Sequence, residues 1–306
     1  MRRNVLFVNL VLIATLFLAA CASSPAAPAT EQPQAAVPSG DQPASDAPAA
    51  ADPAGCLGSA ATALVDLNCQ EVTIAVENAY LPFNYISIAT GQPGGWDYDA
   101  WNEICTRLHC IPVFVETSWD AMIQAVSDGQ YDAAGDGITN TTDRAQVVDF
   151  SMGYINIEQR LLVRQGENRF DSIESFVTDP SLVMGTQSNT TNYETATQYL
   201  SEDRIRAFEQ FPFAVQALMA GDIDAVIIDE VAGMGYLGEN ADKLELIGPS
   251  ISSDELGFIF PRGSALVAPV NQAIQSMMAD GFLADLNVKY FGPAFDITYD
   301  DIVIEE

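Results

Sequence analysis

From Val72 onward the chain alternates short runs of β-branched residues with amphipathic stretches of helical period, and it does so in two successive sets. In the first set, VTIAV at 72–76 and the run at 112–116 read as strands. The stretches 99–108 and 119–127 read as helices, the second closed by Gly129. The second set opens near Arg160 with RLLVR and continues with LVMGT at 182–186, a helix after Thr190 and a strand at 205–208. A helix at 213–220, a strand at 224–228, another helix and a strand at 244–247 complete it. Strands and helices alternating at this spacing predict open, mostly parallel α/β sheets, and two such sets predict two lobes. Ligands of open α/β sheets sit outside the carboxyl ends of the strands. The loops leaving Val76, Ala133, Thr186 and Ile228 are therefore where chemistry is expected.

Ahead of this region stands a different kind of sequence. Arg2 and Arg3 precede an apolar run from Val5 to Ala20 that is short for a transmembrane helix and is followed at once by small residues. Residues 1–20 read as a secretory signal, and Leu18-Ala19-Ala20-Cys21 resembles the bacterial lipobox, in which the cysteine thiol is acylated before cleavage in front of it. The mature chain would then start at Cys21 and be anchored stably by several acyl chains, since each buried CH₂ contributes about 0.8 kcal/mol and one chain alone is marginal. Residues 22–54 hold seven prolines and twelve alanines, with no aromatic and no basic residue. Such a stretch cannot bury enough apolar surface to offset its ordering entropy, so 21–54 is expected to be a lipidated cysteine followed by a disordered tether.

Four cysteines remain: Cys56, Cys69, Cys105 and Cys110. An even count in an exported chain reads as two disulfides, and the local spacings favour Cys56 with Cys69 and Cys105 with Cys110 among three possible pairings. Neither spacing is a close CxxC pair and no helix offers histidine ligands, so no metal site is expected. His109 is the chain's one histidine. It excludes any site that needs two and leaves hydrolase chemistry a single candidate base. The formal net charge of −30 excludes nucleic acid as a favoured partner and points to small, neutral or cationic ones.

The loops named above carry a resemblance. In order they read Ala79-Tyr80-Leu81-Pro82-Phe83, Gly95-Trp96-Asp97-Tyr98-Asp99, Asp136-Gly137-Ile138-Thr139, Thr142-Asp143-Arg144, Asp149-Phe150-Ser151 and Gly185-Thr186-Gln187-Ser188-Asn189-Thr190-Thr191. The strand end Ala225 to Asp229 and the closing Tyr290-Phe291-Gly292 follow. Over roughly residues 71–293 the chain resembles the solute-binding protein family 3, the polar amino-acid-binding proteins of ABC importers. The resemblance implies the two-lobed, type II periplasmic-binding-protein-like α/β fold with a ligand cleft between lobes joined by two crossing segments. Lobe 1 would comprise 71–156 and 260–306, lobe 2 would comprise 162–254, and 55–70 would be a disulfide-linked N-terminal segment.

It also implies a ligand set. Arg144 follows a polar turn and precedes the strand-like VVDFS, and its guanidinium fork suits an α-carboxylate; the alternative is a structural ion pair. The amides of Thr191 and Asn192, at a helix N-terminus, would attract the same carboxylate, while Ser188 or Thr190 caps the helix. Family members usually carry glycine where this chain has Asn189, which tolerates left-handed dihedrals but adds a side chain. Asp229 would pair with the α-ammonium, with Thr139 and the carbonyl of Gly137 completing the cage. Its alternative is to cap the following helix. Tyr80 and Trp119 match the aromatics that sandwich the ligand side chain, whereas Trp96 and Phe83 suit the core. Glu77, Asp136 and Gln187 would line the far end. A neutral ligand would leave carboxylates there desolvated and unpaired, which favours a basic amino acid, then glutamine.

Gly233-Met234-Gly235-Tyr236-Leu237-Gly238 spells GxGxxG, but its first glycine comes four residues after a strand end and late in the chain, so small residues for close helix packing are the better reading. The expected activity is thus binding without covalent chemistry or cofactor, by a monomer outside the cytoplasm. The expected partners are a free amino acid, ABC permease subunits and a bilayer holding acylated Cys21. Two alternatives are an arogenate or prephenate dehydratase on the same fold, using a carboxylic acid such as Glu230 or Asp136, and a sensor presenting its ligand to a receptor.

Overall fold

The computed structural model describes residues 52–237, 240–292 and 294–304. The signal segment 1–20, Cys21, nearly all of the tether expected over 21–54, and Gly238 of the glycine motif lie outside the described residues. No described helix is long and apolar enough to cross a membrane.

The first lobe grows from β1 (Gln70–Val76), whose Val72, Ile74, Ala75 and Val76 are buried. A small antiparallel sheet of β2 (Ala79–Tyr80), β3 (Asn84–Ile86) and β4 (Pro93–Gly94) follows. It leads into α1 (Trp96–Leu108) through Gly95, where φ is 123° and a Cβ would lie 2.2 Å from the Phe83 carbonyl oxygen, so only glycine fits. The helix buries Trp96, Ala100, Trp101, Ile104 and Leu108 at helical spacing, with Asp97 and Asp99 in its first turn and Arg107 in its last, as its dipole favours. Next come β5 (Cys110–Glu116), α2 (Trp119–Ser127), β6 (Ala133–Ala134) and β7 (Val148–Phe150). The bounds of α2 are those its pattern predicts, and Gly129 beyond it stands at φ 72°.

The chain crosses to the second lobe on β8 (Ile155–Arg164) and continues through α3 (Ile173–Thr178), β9 (Met184–Gln187), α4 (Thr191–Tyr199), β10 (Ile205–Phe208), α5 (Phe211–Ala220), β11 (Ala225–Asp229) and α6 (Glu230–Leu237). It returns on β12 (Leu244–Leu256) to β13 (Ile259–Pro261), α7 (Val267–Asp280) and α8 (Phe282–Phe291), the last two packing on α1.

The strand orders are β5-β1-β6-β13-β7 and β10-β9-β11-β8-β12. Within β5-β1-β6 and β10-β9-β11 every pairing is parallel, as expected; the pairings of β13 and β8 are antiparallel. The cause is connectivity. A parallel neighbour needs a crossover helix, whereas β8 and β13 are entered directly by chain arriving from the other lobe. The crossing strands β8 and β12 pair with each other from Arg164–Leu244 to Ile155–Leu256, with a register shift between Ile247 and Ser252. Both outrun the 160–164 and 244–247 segments expected from sequence; in β12 the polar stretch GPSISS at 248–253 hides the bulge.

Aromatic residues fill lobe 1 where these strands leave it: Trp96 and Tyr154 have ring centroids 4.6 Å apart, Tyr154 and Phe258 4.6 Å, and Trp101 and Phe258 4.9 Å. Trp96 and Phe83 are fully buried, as core residues should be. The glycine motif serves packing, since a Cβ on Gly233 within α6 would approach Leu246 of β12 to 2.8 Å.

Both expected disulfides form, Cys56–Cys69 and Cys105–Cys110. They flank the turn after α1, where the amides of Leu57, Leu67 and Cys69 bond the carbonyls of Cys110, Leu108 and His109. His109 ends α1 in the left-handed region at φ 55° and bonds Asp66 at 2.7 Å. That bond raises its pKa above the usual imidazole value. Cys56, Cys69 and His109 lie close enough to share a metal, yet both sulfurs are spent in the disulfide. The single histidine is structural.

Candidate functional site

A cavity lies between the lobes, and it gathers residues separated by up to 152 positions, from Glu77 to Asp229. Lobe 1 supplies Glu77 just past β1, Tyr80 on β2, Trp119 opening α2, Asp136, Gly137 and Thr139 after β6, and Arg144. Lobe 2 supplies Gln187 ending β9, Thr191 and Asn192 opening α4, and Asp229 ending β11. All eleven residues singled out in the sequence line this one cavity. Thr190 and Phe211 line it too and were missed. Thr190 reads only as a cap, and Phe211 at the head of an apolar helix reads as core.

Arg144 opens a 3₁₀ turn (Arg144–Gln146) and is 8% exposed. Its Nη1 donates to the Thr139 carbonyl at 3.1 Å and its Nη2 to the Asn189 carbonyl at 3.3 Å, while the guanidinium carbon stands 5.2 Å from the Trp119 ring centroid. Among the described residues it forms no ion pair. Burial pulls its pKa down, against the fields of Glu194, Asp254 and Asp229. A buried cation held only by neutral carbonyls retains charge for an incoming anion. Nearby, Thr190 caps α4 by accepting from the Tyr193 amide at 3.1 Å, and Ser188 does not. The amides of Thr191 and Asn192, in the first turn of α4, have no intrahelical acceptor, and both residues line the same cavity.

The other charged groups of the lining are acidic. Asp229 accepts from Asn192 Nδ2 at 3.0 Å and from the Tyr80 hydroxyl, and burial still pushes its carboxyl up to about 6. Asp136 faces inward and is pushed up to about 7 by burial, even though Asn84 Nδ2 donates to it at 2.5 Å. The same Asn84 amide holds buried Asp97 at 3.0 Å. Glu77 accepts from Gln187 Nε2 at 3.0 Å. Its carboxyl is held well above the usual range, first by burial and then by Asp136. The cavity therefore has two electrostatic ends, one where Arg144 feels Asp229 and one where Glu77 and Asp136 feel each other.

Between them stand the aromatics. Tyr80 stacks on Phe83 at 5.3 Å and on Phe211 of the other lobe at 5.7 Å. Gly137 must be glycine, because its φ is 57° and a Cβ would lie 2.8 Å from the Tyr80 ring. The lobes are closed on each other here: Tyr80 reaches Asp229, Gln187 reaches Glu77, and Thr139 and Thr191 meet with hydroxyls 3.3 Å apart.

Known proteins share this fold. The family model for bacterial extracellular solute-binding proteins, family 3, matches residues 72–293. The L-arginine-binding protein of Pseudomonas aeruginosa is 28% identical over 260 residues, covering 79% of this chain and 96% of that protein. Among solved structures, the arginine-, lysine-, histidine-binding protein ArtJ of Geobacillus stearothermophilus superposes with a TM-score of 0.67 at 27% identity, over 73% of this chain and 96% of that one. The ancestral amino acid-binding protein AncCDT-1, a precursor of cyclohexadienyl dehydratase, gives a TM-score of 0.66 at 28% identity, over 72% and 95%. The two-sheet, two-crossing architecture is accordingly the type II periplasmic-binding-protein fold, and the chain belongs to the bacterial extracellular solute-binding proteins, family 3.

Proposed function

We propose that this solute-binding protein captures a free basic amino acid, arginine or lysine ahead of glutamine, and delivers it to the membrane subunits of an ABC importer. The observation that carries the reading is the charge balance of the cavity: three buried carboxyls, Glu77, Asp136 and Asp229, face one guanidinium, Arg144. An α-carboxylate on Arg144 and the α4 amides, with an α-ammonium on Asp229, leaves Glu77 and Asp136 over. A cationic side chain lying along Tyr80, Trp119 and Phe211 compensates them, whereas an apolar one strands them desolvated. The L-arginine-binding and arginine-, lysine-, histidine-binding relatives support the same class. Contacts to both lobes make the ligand favour the closed state by differential affinity, with no covalent step.

The basic start, apolar run and Cys21 of the sequence support an acylated anchor that tethers a monomeric binding domain outside the cytoplasm. A dehydratase on this fold is less well supported. Of the two acids expected for that chemistry, Glu230 is ion-paired to Arg160 at 2.8 Å and does not line the cavity, whereas Asp136 does.

A thermal-shift screen of the mature protein against the common amino acids and prephenate tests the proposal. At about a hundredfold excess over Kd, binding adds about 2.7 kcal/mol, or roughly 5 to 10 °C for a domain of this size. Arginine or lysine giving the largest shift supports the proposal. If a neutral or acidic amino acid shifts the melting point and no basic one does, the reading is wrong. Turnover of prephenate would replace it with the enzyme.

A further inference from the structure

The lobes touch at a second place, outside the ligand cavity. Asp120, the second residue of α2, accepts hydrogen bonds from two residues of the loop between β9 and α4: Asn189 Nδ2 at 2.7 Å and Ser188 Oγ at 3.2 Å. The same loop offers its Asn189 carbonyl to Trp119 Nε1 at 3.2 Å and to Arg144 at 3.3 Å. Asn189 stands at φ 57°, a region that costs a side-chain-bearing residue energy and costs glycine none. A residue kept there in spite of that cost, with its amide on a carboxylate of the opposite lobe, has a use for its side chain. Asp120, Ser188 and Asn189 are absent from the cavity wall, so they act on the lobes and not on the ligand.

We propose that Asp120 and Asn189 form an interlobe latch, and that it sets how long a bound amino acid is retained. The bond forms only when the lobes meet. It therefore stabilises the closed complex without contributing to first encounter, and its loss appears in the release rate and hardly in the association rate. Both side chains lie at the exposed rim. One charge-assisted hydrogen bond in that setting is worth about a three- to tenfold change in release.

The inference rests on amino-acid capture, and its test is arranged to fail separately from the choice of ligand. Release is followed by stopped-flow tryptophan fluorescence with arginine, or, if arginine gives no thermal shift, with whichever amino acid gives the largest. Wild type, Asn189→Gly, Asp120→Ala and the double variant are compared. Asn189→Gly keeps the carbonyl used by Trp119 and Arg144 and relieves the left-handed backbone. A merely structural side chain therefore predicts an unchanged release rate with an equal or higher ligand-free melting point. The latch predicts release about three- to tenfold faster at that same equal or higher melting point, and clearly less than multiplicative acceleration when Asp120→Ala is added, because only the Ser188 bond to Asp120 is then left to lose. Restoring charge of the wrong sign with Asn189→Asp should release faster still. Wild-type release from Asn189→Gly, or full multiplication of the two single effects in the double variant, overturns the latch.

Discussion

Replacing Glu77 by Gln removes one negative charge from the far end of the cavity and changes almost no volume. Glu77 is 7% exposed, receives Gln187 Nε2 at 3.0 Å and also the Trp119 amide, and its carboxyl is held well above the ordinary range by burial and by Asp136. A cationic ligand end in contact with it makes a buried charge-assisted hydrogen bond worth about 1.5 to 3 kcal/mol. At 1.36 kcal/mol per factor of ten, arginine affinity should fall about ten- to 150-fold. A neutral ligand such as glutamine loses no ion pair, so its affinity should move less than about threefold, and the preference for arginine narrows accordingly. The variant's single carboxamide oxygen must serve donors that a carboxylate serves with two, so the ligand-free melting point is recorded alongside. Isothermal calorimetry with arginine and glutamine on both proteins, at fixed pH and salt, decides the matter. A folded Glu77→Gln protein that binds arginine within about threefold of wild type would refute the reasoning, because the charge at residue 77 would then have no cationic partner.

Truncating Arg144 to Ala removes one side of a buried charge pair with the ligand carboxylate, a loss of about 2 to 5 kcal/mol, so binding should weaken at least about thirtyfold while the melting point holds; near-wild-type affinity by calorimetry would contradict it. Burial raises Asp136 to about 7 and Asp229 to about 6, above the ordinary carboxylate value near 4. For raised groups, the ligand-free fold has their full contribution below about pH 4 and loses it as pH climbs through about 7. A bound cation needs them ionised, so binding expels protons, and arginine affinity should drop from pH 8 to pH 5 by up to about tenfold per unit for each proton released. A Kd that is flat over that range, measured in two buffers of different ionisation enthalpy, would count against the assignment. Cys21→Ser should move the protein from the membrane to the soluble fraction or medium, and its retention on membranes after a salt wash would exclude anchoring through that thiol.

Much of the site was legible because its residues sit at strand ends and helix starts, positions that local periodicity marks. Asp229 closes AVIID, Gln187 closes MGTQ, and Thr191 follows a capping Thr190. Asn84 escaped notice since it reads as a turn residue. Nothing local reports that its amide bridges Asp97 and Asp136, 13 and 52 positions away. Nor does anything local report that the same amide is what holds Asp136 in its buried place.

The sequence by itself determined the two α/β sets, the disulfide partners thirteen and five residues apart, and the roster of side chains facing one cleft. The first two follow from hydrophobic period and short spacing, properties of neighbours along the chain; the roster follows from the family resemblance that the ordered motifs carry. Only the tertiary structure decided that β8 and β13 run against their sheets, that β8 and β12 pair across the lobes, and that Phe211, buried in the core, also lines the cavity. It alone brought Gln187 to Glu77 across 110 positions and Asn189 to Asp120 across 69. Contacts of that separation depend on how two lobes close, a balance of long-range packing and desolvation that no window of neighbouring residues contains.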